Sequence, residues 1–335
     1  MTLLSASPAA VTEPLPTTSA PAMTVAAAVT TFNRLASLER CIDAIRAQDR
    51  PPDEIIVVND CSKDGTRAWL DSQPDIVALH QPANCGASAS FHAVLKTACE
   101  RGHDFAWTMD DDVFAAPDAL RILLETAEEL AARGIRVGGL TAYQAEWDVG
   151  GATWVPWRLP STIGRALRYR YVSPEISIRR GTGEPQEIDF YPFISTLFTR
   201  DALAAAGLPR SDFFYYGEDT DFTLRLADHG FKSYIVPRCV VQHEGGGFMS
   251  PDLLPIKANW RYYYMYRNQL ALVRLHRARL GWPKALACDL RILMGAAKRL
   301  VREARRANFA ACRLTLLGLS DGLTGRMGKR IEPGS

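Results

Sequence analysis

No cysteine of this 335-residue chain stands in a CxxC pair; the seven present, Cys41, Cys61, Cys85, Cys99, Cys239, Cys288 and Cys312, are odd in number and scattered. That excludes a disulfide framework and reads as reduced thiols in a cytosolic protein. No uncharged apolar run approaches the roughly 18–20 residues that span a bilayer. Residues 1–22, mostly Ala, Pro, Thr and Ser, lack the basic and apolar blocks of a signal peptide and read as a disordered tail. There is no internal repeat. No Gly-rich basic loop follows the first apolar run either, which argues against a nucleotidyltransferase; that place holds Thr30-Thr31-Phe32-Asn33-Arg34. Nor is there an excess of charge, the formal net being +2. The small net conceals an asymmetry, because Lys257 onward carries 17 Lys/Arg against 4 Asp/Glu (+13) and the stretch before it 22 against 33 (−11). An acidic body without a recognised motif excludes nucleic-acid binding, and a basic tail suggests a surface that it docks on.

What is present alternates. The apolar run Val25–Thr30 reads as a buried strand, and Leu38, Cys41, Ile42 and Ile45 recur at helical spacing until Pro51-Pro52. Glu54–Val58 reads as the next strand, closed by Asn59-Asp60 and a turn-rich stretch. A third unit runs through Ile76–Leu79, and Phe105–Met109 leads into Asp110-Asp111-Asp112. Pro117 opens a helix with Leu120, Leu123, Leu124 and Leu130 on one face. Such alternation predicts an α/β, doubly wound, mainly parallel sheet, in which ligands bind outside the carboxyl ends of the strands. Thr30–Arg34, Asn59-Asp60 and the three aspartates all fall at such ends.

Three adjacent aspartates repel one another unless a hard cation neutralises them, and Mg²⁺ or Mn²⁺ prefers such oxygens and shares them with phosphates. Alternation along a strand lets Asp110 and Asp112 face one ion while Asp111 points elsewhere. The same residues also fit a solvated acidic turn or a cap cluster before Pro117. A second cluster, Phe213-Phe214-Tyr215-Tyr216-Gly217-Glu218-Asp219-Thr220-Asp221, sets carboxylates behind an aromatic run that can raise a pKa by desolvation, as a general base needs. Helix capping explains acidic residues there equally well. His243, before Glu244 and Gly245-Gly246-Gly247, fits either a structural histidine or a ligand closing a metal site beside a hinge.

Taken in order, Val29–Arg34, Val57–Thr66, Asn84-Cys85-Gly86, Met109–Asp112, Gly217–Asp221 and His243 resemble family 2 glycosyltransferases of the GT-A fold, over about residues 24–250. The resemblance implies a GT-A nucleotide-binding domain at 23–250 with a basic helical C-terminal region at 251–335. It implies that Thr30, Arg34, Asp60 and Asn84 hold the base and ribose of a nucleotide-diphosphate sugar. Asp110 and Asp112 would form the DxD motif with Asp111 near the ribose or diphosphate, and His243 would be the distal ligand of Mn²⁺ or Mg²⁺. Asp219 would be the catalytic base and Glu218 its supporting neighbour. Cys85 departs from the pattern, since many relatives carry Arg there. The implied reaction is an inverting transfer to a hydroxyl, with the metal compensating the leaving diphosphate and one carboxylate taking the proton. A sugar-nucleotide-binding protein that had lost catalysis would show damage at Asp110, Asp112, Asp219 or His243, all of which are present.

Within the family, Trp107–Asp112 and Gly207–Phe214 look most similar to bacterial galactofuranosyltransferases acting on a lipid-linked disaccharide, with dTDP-rhamnose-dependent enzymes as rivals. Tyr262–Asn268 resembles a stretch of both groups. Trp154 and Trp157, among several arginines, suit an acceptor subsite because rings stack on sugar faces; a packed surface insertion fits them too. Beyond Lys257, Leu270, Leu272, Val273 and Leu275 interleave with Arg274, Arg277 and Arg279, and Ile292, Leu293, Met294 and Leu300 with Lys298, Arg299 and Arg302. Basic amphipathic helices without a span suggest docking on the anionic inner face of the plasma membrane, near a polyprenyl-linked glycan acceptor. A solvated helical cap or an oligomer contact would leave the same pattern.

Overall fold

In the computed structural model the described residues are 23–144, 148–149, 152–153, 163, 166, 183–244 and 260–333. Trp154, Trp157 and the glycines at 245–247 lie outside them, as does the 1–22 tail.

The apolar runs become strands and the periodic runs become helices. The first half contains β1 (Val25–Thr31), α1 (Leu35–Arg46), β2 (Glu54–Asn59), α2 (Thr66–Asp71), β3 (Ile76–His80), α3 (Ala87–Glu100), β4 (Phe105–Asp110), β5 (Val113–Ala115), α4 (Ala119–Ala132) and β6 (Val137–Gln144). A two-residue ribbon, β7 (Asp148–Val149) with β8 (Ala152–Thr153), precedes β9 (Gln186–Ile188), β10 (Thr196–Thr199), α5 (Arg200–Ala206), α6 (Glu218–Asp228) and β11 (Lys232–His243). Four helices follow: α7 (Trp260–Leu275), α8 (Arg277–Leu280), α9 (Trp282–Arg305) and α10 (Phe309–Thr324).

Nine strands make one sheet in the order β3-β2-β1-β4-β10-β6-β11-β5, with β9 also on β11. The half from β3 to β4 is parallel, as is β6 with β11; β10, β5 and β9 run antiparallel to their neighbours. The sheet is therefore mixed where alternation alone predicted a mainly parallel one, because β10 inserts between β4 and β6 after a long excursion.

Both faces are covered, and the two-residue period of the strands sorts side chains between them. Val25, Ala27 and Val29 of β1 join Ile55, Val57, Trp107 and Met109 under α1 and α4. Ala26 and Ala28 join Ile56, Val58 and Ala106 under α3 and α6. The stripes expected on α1 (Leu38, Cys41, Ile42, Ile45) and α4 (Leu120, Leu123, Leu124, Leu130) are buried in the first of these layers. Trp107 is fully buried, and its indole N–H donates to Ser195 Oγ at 3.1 Å, which satisfies the one polar atom it brings inside.

The C-terminal helices pack on the aromatic loop that precedes α6. Tyr262, Tyr266, Leu270 and Val273 of α7 share a core with Phe213, Leu224 and, from α9, Ala285, Cys288 and Ile292. Arg299, expected on the basic face of a membrane-docking helix, is instead buried with its guanidinium over the Tyr262 ring and 3.4 Å from Glu303. Among the described residues no helix is long and apolar enough to cross a membrane.

Candidate functional site

The register of the sheet makes the site. Thr30 of β1 lies beside Asp110 of β4, so the ends of adjacent parallel strands meet at one crevice. Asp110 is the last residue of β4; Asp111 and Asp112 form a turn into β5. The separation of the three carboxylates is thus a property of that turn rather than of strand alternation. Asp111 faces back onto β1, accepting from Thr31 Oγ1 at 2.7 Å and the Phe32 amide at 3.2 Å. Asp110 accepts from Thr30 Oγ1 at 3.3 Å. Asp112 turns toward His243, the last residue of β11, which is held there by pairing with Val113. Arg34 bridges Asp111, at 3.4 Å, and Asp112.

One ligand atom each from Asp110, Asp112 and His243 lies within 4.8 Å of the others, so the three could hold a metal ion. His243 Nε2 is 3.3 Å from Asp112 Oδ1, yet that buried oxygen accepts no hydrogen bond. A buried carboxylate oxygen left without a donor is costly, and a cation is a partner of the right charge and size. Two carboxylates and an imidazole suit Mn²⁺ or Mg²⁺.

Electrostatics agree with the crowding. Burial, reinforced by the charge of Asp112, pushes Asp110 up to about 7. Burial likewise takes Asp111 to about 6 against the pull of Thr31 and Arg34. For Asp112 burial acts upward as well, but neighbouring His243 and Arg34 outweigh it and hold the carboxyl below its ordinary value.

The second carboxylate pair starts α6. Gly217, at φ +105°, makes the left-handed turn that a side chain would strain, and the charge of Asp110 reaches Glu218, the first residue of the helix that follows. Burial drives Glu218 up to about 8, with the Asp219 charge adding to it; Asp219, buried but accepting from Thr220, rises to about 6. Asp221 is engaged in side-chain ion pairs with Arg225 and His276, each at 2.9 Å, and stays below its ordinary value once those contacts offset its burial. Asp219 accepts from the Thr220 amide at 2.6 Å, a first-turn contact of the kind that helix capping explains.

Asp60, beyond β2, accepts from the amides of Cys85 at 2.7 Å and Gly86 at 2.9 Å, and so shapes the loop holding Asn84. Gly86 has φ +86°, and a Cβ there would meet the Phe214 carbonyl at 2.3 Å. This loop and the aromatic loop before α6 thus close on each other. Arg34 lies against the acidic turn.

Sequence patterns missed the clamp on that aromatic loop. Asn268 Nδ2 donates to the carbonyls of Phe213, Tyr215 and Tyr216 at 3.1, 2.8 and 2.7 Å, and Arg267 Nη2 to Phe213 at 2.6 Å. Two fully polar residues in the buried face of α7 were the available signal, since such groups are rarely buried without partners.

The mixed sheet of this order, with an Asp-x-Asp turn ending its fourth strand, defines a GT-A glycosyltransferase fold. Residues 27–189 match the family model described as glycosyl transferase family 2. Galactofuranosyltransferase GlfT1 of Mycolicibacterium smegmatis is 28% identical over 215 residues, covering 62% of this chain and 66% of that protein. The chain spans less than two thirds of the length of the curated relatives it matches, 66%, 44% and 65% for three of them. Among solved structures, S. aureus TarS 1–349 in complex with UDP-GlcNAc superposes with TM-score 0.52 at 14% identity, over 90% of this chain and 92% of that one. Mannosyltransferase PcManGT from Pyrobaculum calidifontis, in complex with GDP-Man and Mn2+, gives TM-score 0.50 at 18% identity, over 92% and 89%. At these identities the structural likeness speaks for the fold.

Proposed function

We propose that this chain is an inverting, metal-dependent glycosyltransferase that moves galactofuranose from UDP-galactofuranose onto a hydroxyl of a lipid-linked glycan in cell-envelope polysaccharide synthesis. The observation that carries the reading is the presence of an ion-sized Asp110–Asp112–His243 cluster together with a buried and a half-buried carboxylate, Glu218 and Asp219, at the start of α6. The GlfT1 relative supports the donor, and the Mn2+ bound with GDP-Man in the mannosyltransferase supports the ion.

Asp110, Asp112 and His243 would hold the ion, which when bound supplies Lewis-acid compensation for the leaving diphosphate. Thr31 and the Phe32 amide fix Asp111 against β1, where it meets the ribose or diphosphate. Thr30, Arg34, Asp60 and Asn84 serve the base and ribose, Thr30 and Arg34 doing so from against the acidic turn. Burial raises both carboxyls, and the charge of Asp219 raises Glu218 further, so the pair holds one proton more readily than either would alone. Asp219 takes the proton of the acceptor hydroxyl as its oxygen bonds to the anomeric carbon. The bond from that carbon to the diphosphate breaks on the opposite side, the electron pair leaving with the diphosphate, so configuration inverts. Glu218, neutral, does not compete for the role and supports its neighbour's position.

The nucleotide-binding domain covers 23–250, and the basic region 251–335 docks on an anionic membrane bearing a polyprenyl-linked acceptor; Trp154 and Trp157 belong to the acceptor subsite. Support for docking comes from α9. Trp282, Leu286, Leu290, Met294 and Val301 are exposed along one side, flanked by exposed Lys284, Arg291, Lys298 and Arg305 at seven-residue intervals. An apolar face edged by cations is the form of a helix lying in a lipid interface. A donor screen tests the function: UDP-galactofuranose, dTDP-rhamnose, UDP-glucose and UDP-GlcNAc with Mn²⁺ and a lipid-disaccharide acceptor, read as nucleotide release. Release from UDP-galactofuranose above the others is expected; acceptor-dependent release from none of them would overturn the reading.

A further inference from the structure

The last residues of the chain return to the nucleotide end of the crevice. After α10, the Gly328 amide donates to the Asp212 carbonyl at 2.7 Å and Arg267 donates to the Gly328 carbonyl. The Tyr264 hydroxyl donates to the Ile331 carbonyl at 2.8 Å and accepts from the amides of Arg330 and Ile331 at 3.2 Å each. Contacts on both sides of it pin Lys329. Its ammonium sits 5.6 Å from the centroid of the Phe214 ring. Phe214 stacks on Tyr264 at 4.6 Å and touches the 85–88 loop, its carbonyl 3.5 Å from the Ser88 amide. Asp60 grips that same loop. The positive charge of Lys329 reaches both Asp60 and Cys85, drawing each down against the larger upward effect of burial.

The Lys329 side chain is 24% exposed, and its partner Glu332, at 2.9 Å, is 73% exposed. A pair so open to water is weak and leaves the ammonium available. In the loop that Asp60 grips, Asn84 Oδ1 is buried with no hydrogen-bond partner, and each Asp60 oxygen, after one backbone amide, keeps a free lone pair. A cation, a buried carboxylate and an unpaired amide oxygen thus converge at one place. Neighbouring strands lie about 4.8 Å apart and β1 separates β2 from β4, which puts this place on the order of 10 Å from the acidic turn and away from the diphosphate.

We infer that Lys329, carried in by the C-terminal tail, is a base-reading residue of the donor site, donating to a ring carbonyl while Asp60 accepts from the adjacent ring N–H. This rests on the proposed seating of a nucleotide at Asp60. The donor–acceptor pair matches the edge of uracil, thymine or guanine, each of which presents an N–H next to a carbonyl. Cytosine presents an amino group and a bare ring nitrogen, which sets donor against donor and acceptor against acceptor.

The test uses the full chain with Mn²⁺ and calorimetric titration of UDP and CDP. Lys329→Met keeps the stem over Phe214 and removes the charge; Lys329→Arg keeps the charge. The wild type binds UDP better than CDP. Lys329→Met should weaken UDP at least about tenfold, the worth of one charged hydrogen bond, and weaken CDP less, so that the UDP/CDP ratio narrows to what Asp60 alone supplies, with Lys329→Arg close to wild type. Lys329→Met that keeps both the UDP affinity and the UDP/CDP ratio overturns the inference. So does a loss of equal size for UDP and CDP, which is what a merely structural tail would give. If the wild type binds neither UDP nor CDP nor any sugar nucleotide, the proposed function fails with it, a result distinct from the variant behaving like the parent.

Discussion

Asn268→Ala isolates the link between the C-terminal helices and the carboxylates that start α6. The side chain is buried and gives its amide hydrogens to three carbonyls of the loop 213–216, while its Oδ1 accepts from Arg267 at 2.7 Å. At about 1 kcal/mol per hydrogen bond, losing three costs about 3 kcal/mol, and the stranded carbonyls add to that. For a domain of this size the melting temperature should fall by about 5–10 °C. The functional consequence is larger than the stability loss suggests, because the loop leads into Gly217 and sets where Asp219 stands. A displacement near 1 Å costs about 100-fold in rate. The expected outcome is therefore a kcat lowered by about two orders of magnitude with Mn²⁺-dependent UDP affinity within a fewfold of the parent, since Asp219 does not hold the donor. Asn268→Asp should behave alike, having lost the same N–H donors while keeping the Arg267 contact. Thermal melting followed by circular dichroism and single-turnover transfer read the two effects. Unchanged melting and unchanged kcat in both variants would refute the clamp.

Asp219→Asn should abolish transfer while leaving donor binding intact. In the parent, kcat should fall as pH drops through about 6, where Asp219 gains a proton, and the fall should appear in single-turnover chemistry; a flat profile from pH 7 to 5 contradicts the assignment. Lys284→Glu/Arg291→Glu/Lys298→Glu together should detach the protein from phosphatidylglycerol-containing vesicles, since each cation contributes about 1 kcal/mol at an anionic surface. Sedimentation with such vesicles, equal for parent and triple variant, would remove α9 from that role. Lys329→Met should show a smaller preference for UDP over CDP than the parent, as argued above.

Much of the fold was legible because it is written in local periodicity. The run at Val25–Thr30, the spacing of Leu38, Cys41, Ile42 and Ile45, and the polar stop at Asn59-Asp60 each describe one element without its neighbours. The resemblance of the ordered motifs, rather than any one of them, put Asp110, Asp112 and His243 on one list, and the sheet brings them within ion-binding distance. What stayed hidden depends on contacts across the chain. Asn268 meets Phe213 from 55 positions away, and Arg299 turns inward because Tyr262 and Glu303 offer it a ring and a charge. A basic tail in sequence gives no sign that Lys329 ends beside Phe214. The antiparallel insertion of β10 also has no local signature, since a four-residue strand reads the same in either direction.

The account turns on an ion shared by Asp110, Asp112 and His243. Titration of UDP-galactofuranose into the parent, Asp112→Ala and His243→Ala, with Mn²⁺ and with EDTA, measures this directly. The parent should bind the donor in Mn²⁺ and lose most of that affinity in EDTA, and each variant should show weak binding that Mn²⁺ no longer improves. Donor affinity in the parent that is the same with Mn²⁺ and EDTA, or variants that respond to Mn²⁺ as the parent does, would contradict the metal-dependent site.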